Sequence, residues 1–171
     1  MRALKFLGEG RVAPFTGLRW PVGEWVEATA VDPCREGVHA LRPKDLPYWL
    51  GRELWEIELD GEIVEQDRKV VASRGRLVRR VDAWTPALLD AFADDLLRRT
   101  KLRVGHIANV GGYVGDIARF RSQRRYGLAA FAAARAAELS GGAADYDRER
   151  RRQAEWLAAR LAFEPTDERR S

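Results

Sequence analysis

The chain has 171 residues, 46% of them hydrophobic and 33% charged, with a formal net charge of +4 at pH 7. This length and composition suit one folded domain with a proper core and exclude wholesale disorder. No apolar run reaches the roughly 18 residues of a membrane span, and the first residues lack the apolar core of a signal peptide. A single cysteine cannot form an internal disulfide, so we expect a cytoplasmic location.

The first half of the chain is predicted to be β-rich. Short strands are expected over residues 3–7 and 25–31, where apolar and polar side chains alternate. The clearest period-two pattern begins at residue 53, with Trp55, Ile57 and Leu59 on one side of the strand. These patterns favour an antiparallel meander.

Two glycine dipeptides divide the later strands. Asp60-Gly61 is either a turn or a bulge beyond which residues 62–66 continue the strand. Arg74-Gly75 is predicted to be a tight reversal between strands over 69–73 and 76–84.

The second half is predicted to be helical. Thr85 is a good N-cap. Pro86 suits the first helical position, because a backbone N–H at that position makes no hydrogen bond within the helix. Residues 104–115 contain too many glycines for a helix interior and are predicted to be a connection.

Further helices are expected beyond that connection. One stretch is interrupted or weakened at Gly127 and stops at Gly141-Gly142. Asp145 is predicted to cap the last helix, which a polar tail over 164–171 follows.

The predicted fold class is therefore α+β. An N-terminal antiparallel β meander is expected to pack against a C-terminal bundle of about three helices. We assign residues 1–171 to a single domain, with a β-rich part over 1–84, a helical part over 85–163 and the polar tail.

The segment "DPCREGVHALRPKDLPYWL", residues 32–50, is the first candidate site. It contains the only cysteine, Cys34, together with His39 and the aromatic pair Tyr48 and Trp49. The chain has only three Cys and His residues, too few for a structural zinc site, so we predict no metal. A five-residue separation inside one loop is also a poor arrangement for a Cys34–His39 nucleophile pair.

Two further groups of charged residues are candidate sites. Glu56 and Glu58 share a strand face at a spacing compatible with acid–base chemistry, which makes Glu56 a catalytic candidate beside His39. An arginine-rich stretch could contact phosphates, although we expect Phe120 to join Ile117 and Leu128 in a core stripe and the arginines to form a solvated face. Its four candidates for nucleic-acid binding are Arg119, Arg121, Arg124 and Arg125. We expect these arginines to pair with acidic residues of the first helix, namely Asp90, Asp94 and Asp95.

The N-terminal half resembles an uncharacterised domain family of phage and actinobacterial proteins. The resemblance covers residues 1–84 and rests on the C-x-x-G-x-H-A pattern at 34–40, DLPYW at 45–49, WEIELDGE and KVVAS. Many members have a second cysteine after the His-Ala pair, where this chain has Leu41. The resemblance implies a fold and no particular activity.

The order of these segments also resembles the ADP-ribosyltransferase-like folds. That resemblance implies a ribose contact from His39 and stacking of Tyr48 or Trp49 on the nicotinamide of NAD. No arginine–serine–glutamate motif accompanies it.

From these observations we expect a binding or interaction module without a cofactor. Its ligand would be a small molecule or a protein, held by His39, Tyr48 and Trp49, with Lys69 or Glu56 as the charged contact. An NAD-dependent ADP-ribosyltransferase-like enzyme is the first alternative, and an arginine-based nucleic-acid binder is the second. We expect no membrane partner, and the alanine-rich helix face leaves a homodimer open.

Overall fold

The structure, a computed structural model, describes residues 1–33, 35–107 and 109–163. After Trp84 the chain divides into two compact units, one of strands and one of helices. The division falls at the predicted boundary between the β-rich and helical parts. The α+β class, with an antiparallel N-terminal sheet and a C-terminal helical part, is confirmed.

The N-terminal unit contains a five-stranded antiparallel sheet. Its strands are β1 (Arg2–Leu7), β2 (Trp25–Glu27), β3 (Val38–Ala40), β4 (Glu53–Gln66) and β5 (Lys69–Arg80). The strand order is β1-β4-β5-β2, and β3 also pairs with β5. The long β4–β5 hairpin is therefore the centre of the unit, and the shorter strands flank it.

A backbone bridge closes this sheet on itself. The N–H groups of Leu4 and Leu41 each donate to the other residue's carbonyl, at 2.8 and 2.7 Å. Since Leu41 directly follows β3, the bridge joins β3 to β1 and completes a ring through β4 and β5. The core on one face of the sheet is an apolar cluster of Ala3, Leu7, Trp20, Val38, Ala40, Trp55, Ile57, Leu59, Val70, Ala72 and Leu77.

Both glycine dipeptides lie inside strands. β4 continues past Gly61, with a register shift between Asp60 and Ile63, which matches the bulge rather than the turn. The predicted reversal at Arg74-Gly75 is wrong, because β5 runs through both residues and Gly75 pairs with Leu59. A Cβ atom on Gly75 would lie 2.7 Å from Val38 Cγ1, so glycine is required here by space in the core.

Replacing Gly75 with alanine is expected to lower the free energy of unfolding by about 1–3 kcal/mol, since the added methyl group overfills a packed core. Urea denaturation of the variant would measure this. Gly127→Ala is a matched control, because a Cβ there meets nothing within 4 Å, and it is expected not to destabilise. Equal stability of the Gly75 variant and the wild-type chain would contradict the assignment.

The C-terminal unit contains four helices in its described part, whereas about three were predicted. They are α1 (Pro86–Val104), α2 (Gly112–Ser122), α3 (Tyr126–Gly141) and α4 (Ala143–Leu161). The predicted cap of α1 is confirmed, since the Leu88 N–H donates to Thr85 Oγ1 at 3.2 Å. None of these helices combines the length and the hydropathy that crossing a bilayer requires.

The helix count differs for two reasons. The connection after α1 is shorter than predicted, and the break between the next two helices lies at a different residue. α2 begins at Gly112, inside the glycine-rich stretch assigned to the connection. The chain then breaks at residues 123–125, where Arg124 takes a positive φ of 56°, and not at Gly127.

The predicted N-cap of the last helix is also wrong. The N-cap is Gly142, three residues before Asp145, and α4 begins at Ala143. Asp145 lies in the first turn, where a carboxylate is favoured by the helix dipole, and forms an ion pair with Arg148. Acidic residues are favoured both at the cap and in the first turn, so residue type alone does not separate the two positions.

Candidate binding surface

The segment 32–50 is more regular than a loop. It contains β3 and a 3-10 turn over Pro43–Tyr48. Gly37 begins the regular part with a φ of 126°, and a Cβ there would lie 2.3 Å from Val71 Cγ1. Only glycine fits this approach of the chain to β5, which brings His39 into register with Val71.

Arg42 ties this segment to the tip of the β4–β5 hairpin. Its Nε donates to the buried carboxylate of Asp45 at 2.7 Å, and its Nη1 donates to Glu65 at 2.9 Å. Its Nη2 donates to the carbonyl oxygens of Gln66 and Asp67, at 2.6 and 2.9 Å. The planar guanidinium thus uses its fork of donors to hold the turn and the hairpin in one geometry.

Tyr48 and Trp49 lie against the other side of this hairpin tip. The Trp49 indole N–H donates to the carbonyl oxygen of Arg68 at 2.9 Å. The Arg68 guanidinium lies over the Tyr48 ring, 4.6 Å from its centroid. We call Tyr48, Trp49 and Arg68 the aromatic tip. Trp49 keeps 40% of its surface exposed even though its ring is anchored.

His39 is half-buried on β3. Its Nδ1 lies 3.1 Å from the carbonyl oxygen of Gly37, which can only accept, so Nδ1 carries the proton in the neutral ring. Burial lowers the pKa of His39, and the positive charges of Lys69 and Lys5 lower it further. The imidazole is therefore neutral at pH 7.

The four predicted ligand-binding residues belong to the same unit: Tyr48, Trp49 and Lys69 lie at the hairpin tip, and His39 lies opposite Val71, two residues further along β5. Lys69 is the first residue of β5 and directly follows Arg68, which contacts both Tyr48 and Trp49. Its charge acts on His39. The structure thus joins residues from two separate segments into one surface.

Lys5 is a buried cation that the sequence did not reveal. It lies on the core face of β1, where its Nζ donates to the His39 carbonyl oxygen at 2.7 Å. The ammonium group also lies over the Trp20 ring, 4.5 Å from the centroid. Burial lowers its pKa from 10.5 to about 8.

The catalytic candidate Glu56 lies on β4 and is paired across the hairpin. Arg79 donates to both of its carboxylate oxygens, the Nε bond at 3.0 Å. Glu58 is paired with Arg76 through one bond, from Nη2 to Oε2 at 2.5 Å. These carboxylates therefore form cross-strand ion pairs on the sheet.

The four arginines proposed for nucleic-acid binding lie in α2 and in the turn that follows it. Arg121 pairs with Asp94 of α1 at 2.5 Å, and Arg119 pairs with Asp116 at 2.7 Å. The Arg121–Asp94 contact confirms the predicted pairing with α1 for one of the four arginines, whereas Asp95 pairs with Arg98 and Arg99 of α1 itself. Arg119 and Arg125 both lie over the Phe120 ring, at 5.1 and 5.9 Å.

The predicted core stripe through this region is wrong in part. Ile117 is buried and Phe120 is half-buried, but Leu128 is 37% exposed. The stripe assumed one continuous helix. Because the chain breaks after Ser122, Leu128 belongs to α3 and faces another direction.

Within residues 1–33, 35–107 and 109–163, no three potential metal-ligating side chains come together. Cys34 lies outside the described residues, so the structure does not test the sequence argument against a Cys34–His39 pair.

Sequence reasoning missed Arg42 and Arg68, the two residues that organise the surface. Arg42 precedes Pro43 and stands three residues before Asp45, a spacing that could have suggested a capped turn. Its contacts with Gln66 and Asp67 span 24 and 25 residues and left no local signal.

Comparisons with known proteins give no family for this chain. Family models, curated proteins and solved structures were all searched, and none of the three searches found a match. The resemblance to the phage and actinobacterial domain family therefore stays a prediction.

Proposed function

We propose that the chain is a protein-binding module and that the aromatic tip, with Lys69 and His39 beside it, is its recognition surface. One observation carries the proposal. The Trp49 indole is anchored through its N–H to Arg68 and yet keeps 40% of its surface exposed. An exposed apolar side chain in a fixed geometry loses little conformational entropy when a partner covers it.

The composition of this surface supports a protein partner. Tryptophan, tyrosine and arginine dominate the energetics of protein–protein interfaces, and all three meet in the aromatic tip. Lys69 adds a charge at the edge, and neutral His39 adds a polar ring. The hydrogen bonds of Arg42 to Asp45, Glu65, Gln66 and Asp67, which we call the Arg42 clamp, hold the turn against the hairpin. Binding would therefore require little reorganisation.

Photo-crosslinking in the native host would test this proposal. A photoreactive phenylalanine derivative replaces Trp49 in one variant and Trp25 in a control variant. Trp25 is a fair control because it is 36% exposed and lies beside the guanidinium of Arg74, as Tyr48 lies beside Arg68. We expect a discrete crosslinked partner from position 49 only.

Competition makes the result specific. An excess of unlabelled wild-type or Trp25→Ala chain should abolish the crosslink, whereas Trp49→Ala should compete about 30-fold less well, as expected for an anchor worth about 2 kcal/mol. Equal competition by the two alanine variants would refute the proposal.

Two contacts lead us to favour binding over an ADP-ribosyltransferase-like reaction. One face of the Tyr48 ring, the residue proposed to stack on nicotinamide, is covered by Arg68. Both carboxylate oxygens of Glu56, the candidate acid–base group, accept hydrogen bonds from Arg79. The transferase alternative stays a prediction that labelled NAD would test directly.

A further inference from the structure

The helical unit contains a cavity lined by charged residues. A cavity of about 250 Å³ opens between the last turn of α1 and the middle of α4. Its lining consists entirely of charged side chains: Arg103, Arg148, Glu149, Arg151, Arg152 and Glu155. Four guanidinium groups and two carboxylates give the wall a net charge of +2.

The spacing of these residues explains how one helix face can concentrate so much positive charge. Arg151 and Arg152 lie three and four residues after Arg148, and Glu155 lies three and four residues after them, so all four share a face of α4. Arg103 joins them from α1, where it lies in the last helical turn.

The carboxylates of the wall leave most of this charge uncompensated. Glu149 is buried, and Arg99 Nη1 lies 2.8 Å from each of its two oxygens. Arg103 reaches the same carboxylate only at 4.0 Å. Glu149 is therefore already neutralised by Arg99, which is not part of the cavity wall.

Arg148 is paired with Asp145, which lies outside the wall, but the other three arginines have donors to spare. Arg103 Nη1 is buried and has no hydrogen-bond acceptor within the described part of the chain. Arg151 and Arg152 make no ion pair with any other described residue. A buried guanidinium N–H without an acceptor is costly, and a bound anion would supply the acceptor.

We infer that this cavity binds a phosphate group that carries two negative charges, as a free phosphate, a diphosphate or a phosphomonoester of a small molecule. The net charge of the wall matches a dianion. The volume is below the about 300–1,000 Å³ of sites for drug-sized ligands, which favours a small anionic group. Guanidinium groups bind phosphate oxygens through paired N–H donors.

The charge of the ligand gives the site a pH signature. The second ionisation of a phosphomonoester has a pKa of about 6, so the dianion becomes the main form above that pH. Affinity for a simple phosphomonoester such as glycerol phosphate should therefore rise severalfold between pH 5.5 and pH 7.5. The arginines that line the cavity remain charged across this range.

Isothermal titration of the intact chain with inorganic pyrophosphate at fixed ionic strength tests the assignment. The double variant R151Q/R152Q should bind pyrophosphate at least tenfold more weakly than the wild-type chain. R119Q/R124Q is the matched control. It also removes two arginine charges, but from outside the cavity, and it should change affinity for pyrophosphate less than twofold.

Three outcomes would overturn the inference. These are an equal loss in both double variants, no binding at millimolar pyrophosphate, and binding of a single-stranded oligonucleotide without binding of pyrophosphate. The last would indicate a nucleic-acid surface instead of a small-anion site. Thermal unfolding of each variant, with and without pyrophosphate, checks folding and gives a second readout, because a ligand of the folded state raises the melting temperature.

Discussion

Replacing Arg42 with alanine is expected to lower the free energy of unfolding by about 3–5 kcal/mol. The change leaves Asp45, which is only 2% exposed, as a buried carboxylate without its cation. It also removes the donors to the Gln66 and Asp67 carbonyl oxygens. Urea denaturation followed by circular dichroism measures the loss.

The chain offers a control for this effect. Arg52 also pairs with a glutamate, Glu9 at 3.1 Å, but both side chains are largely exposed. Arg52→Ala should therefore cost no more than about 1 kcal/mol. Adding Asp45→Asn to the Arg42 variant should recover part of the stability, because the amide removes the unpaired charge. Similar losses for the Arg42 and Arg52 variants would show that the clamp contributes no more than a surface ion pair.

Lys5→Met is expected to change how stability depends on pH. Burial lowers the pKa of Lys5 to about 8, whereas the unfolded chain keeps the ordinary lysine value of 10.5. Between these values the unfolded state binds more protons, so wild-type stability rises with pH. The stability gained when Lys5 loses its proton is complete above pH 10.5, and it is lost as the pH falls through 8.

The expected size of this change is about 3 kcal/mol, measured as the difference in free energy of unfolding between the two chains at pH 7.5 and pH 10.5. Comparing the two chains cancels the titration of groups that they share. Lys101→Met, which changes an exposed lysine of α1, should show no such dependence. A flat difference for Lys5→Met would mean that the ammonium group is hydrated in the folded protein.

Much of the fold was predictable because its signals are local. The alternation through Trp55, Ile57 and Leu59 marked β4, and the Thr85-Pro86 pair marked the start of α1. Gly75 misled the prediction because a glycine required by core packing looks the same in sequence as a glycine required by a turn. Only the neighbours Val38 and Ile57, distant in the chain, distinguish the two cases.

The sequence predicted most members of the candidate surface, but neither Arg68 nor the contacts that position the others. His39, Tyr48 and Trp49 belong to one short segment, so their proximity followed from the sequence. The contacts that position them come from the β4–β5 hairpin, through Arg68 and the Arg42 clamp. Such contacts depend on tertiary packing, which residue types and spacing do not encode locally.

The central claim is that the Arg42 clamp positions the Trp49 anchor for a protein partner. A double-mutant cycle on affinity for the partner crosslinked at position 49 tests it most directly. We expect Trp49→Ala to weaken binding about 30-fold, Arg42→Gln about tenfold, and the double variant no more than Trp49→Ala alone. Independent effects that multiply to about 300-fold would contradict the account, because Arg42 would then act without Trp49.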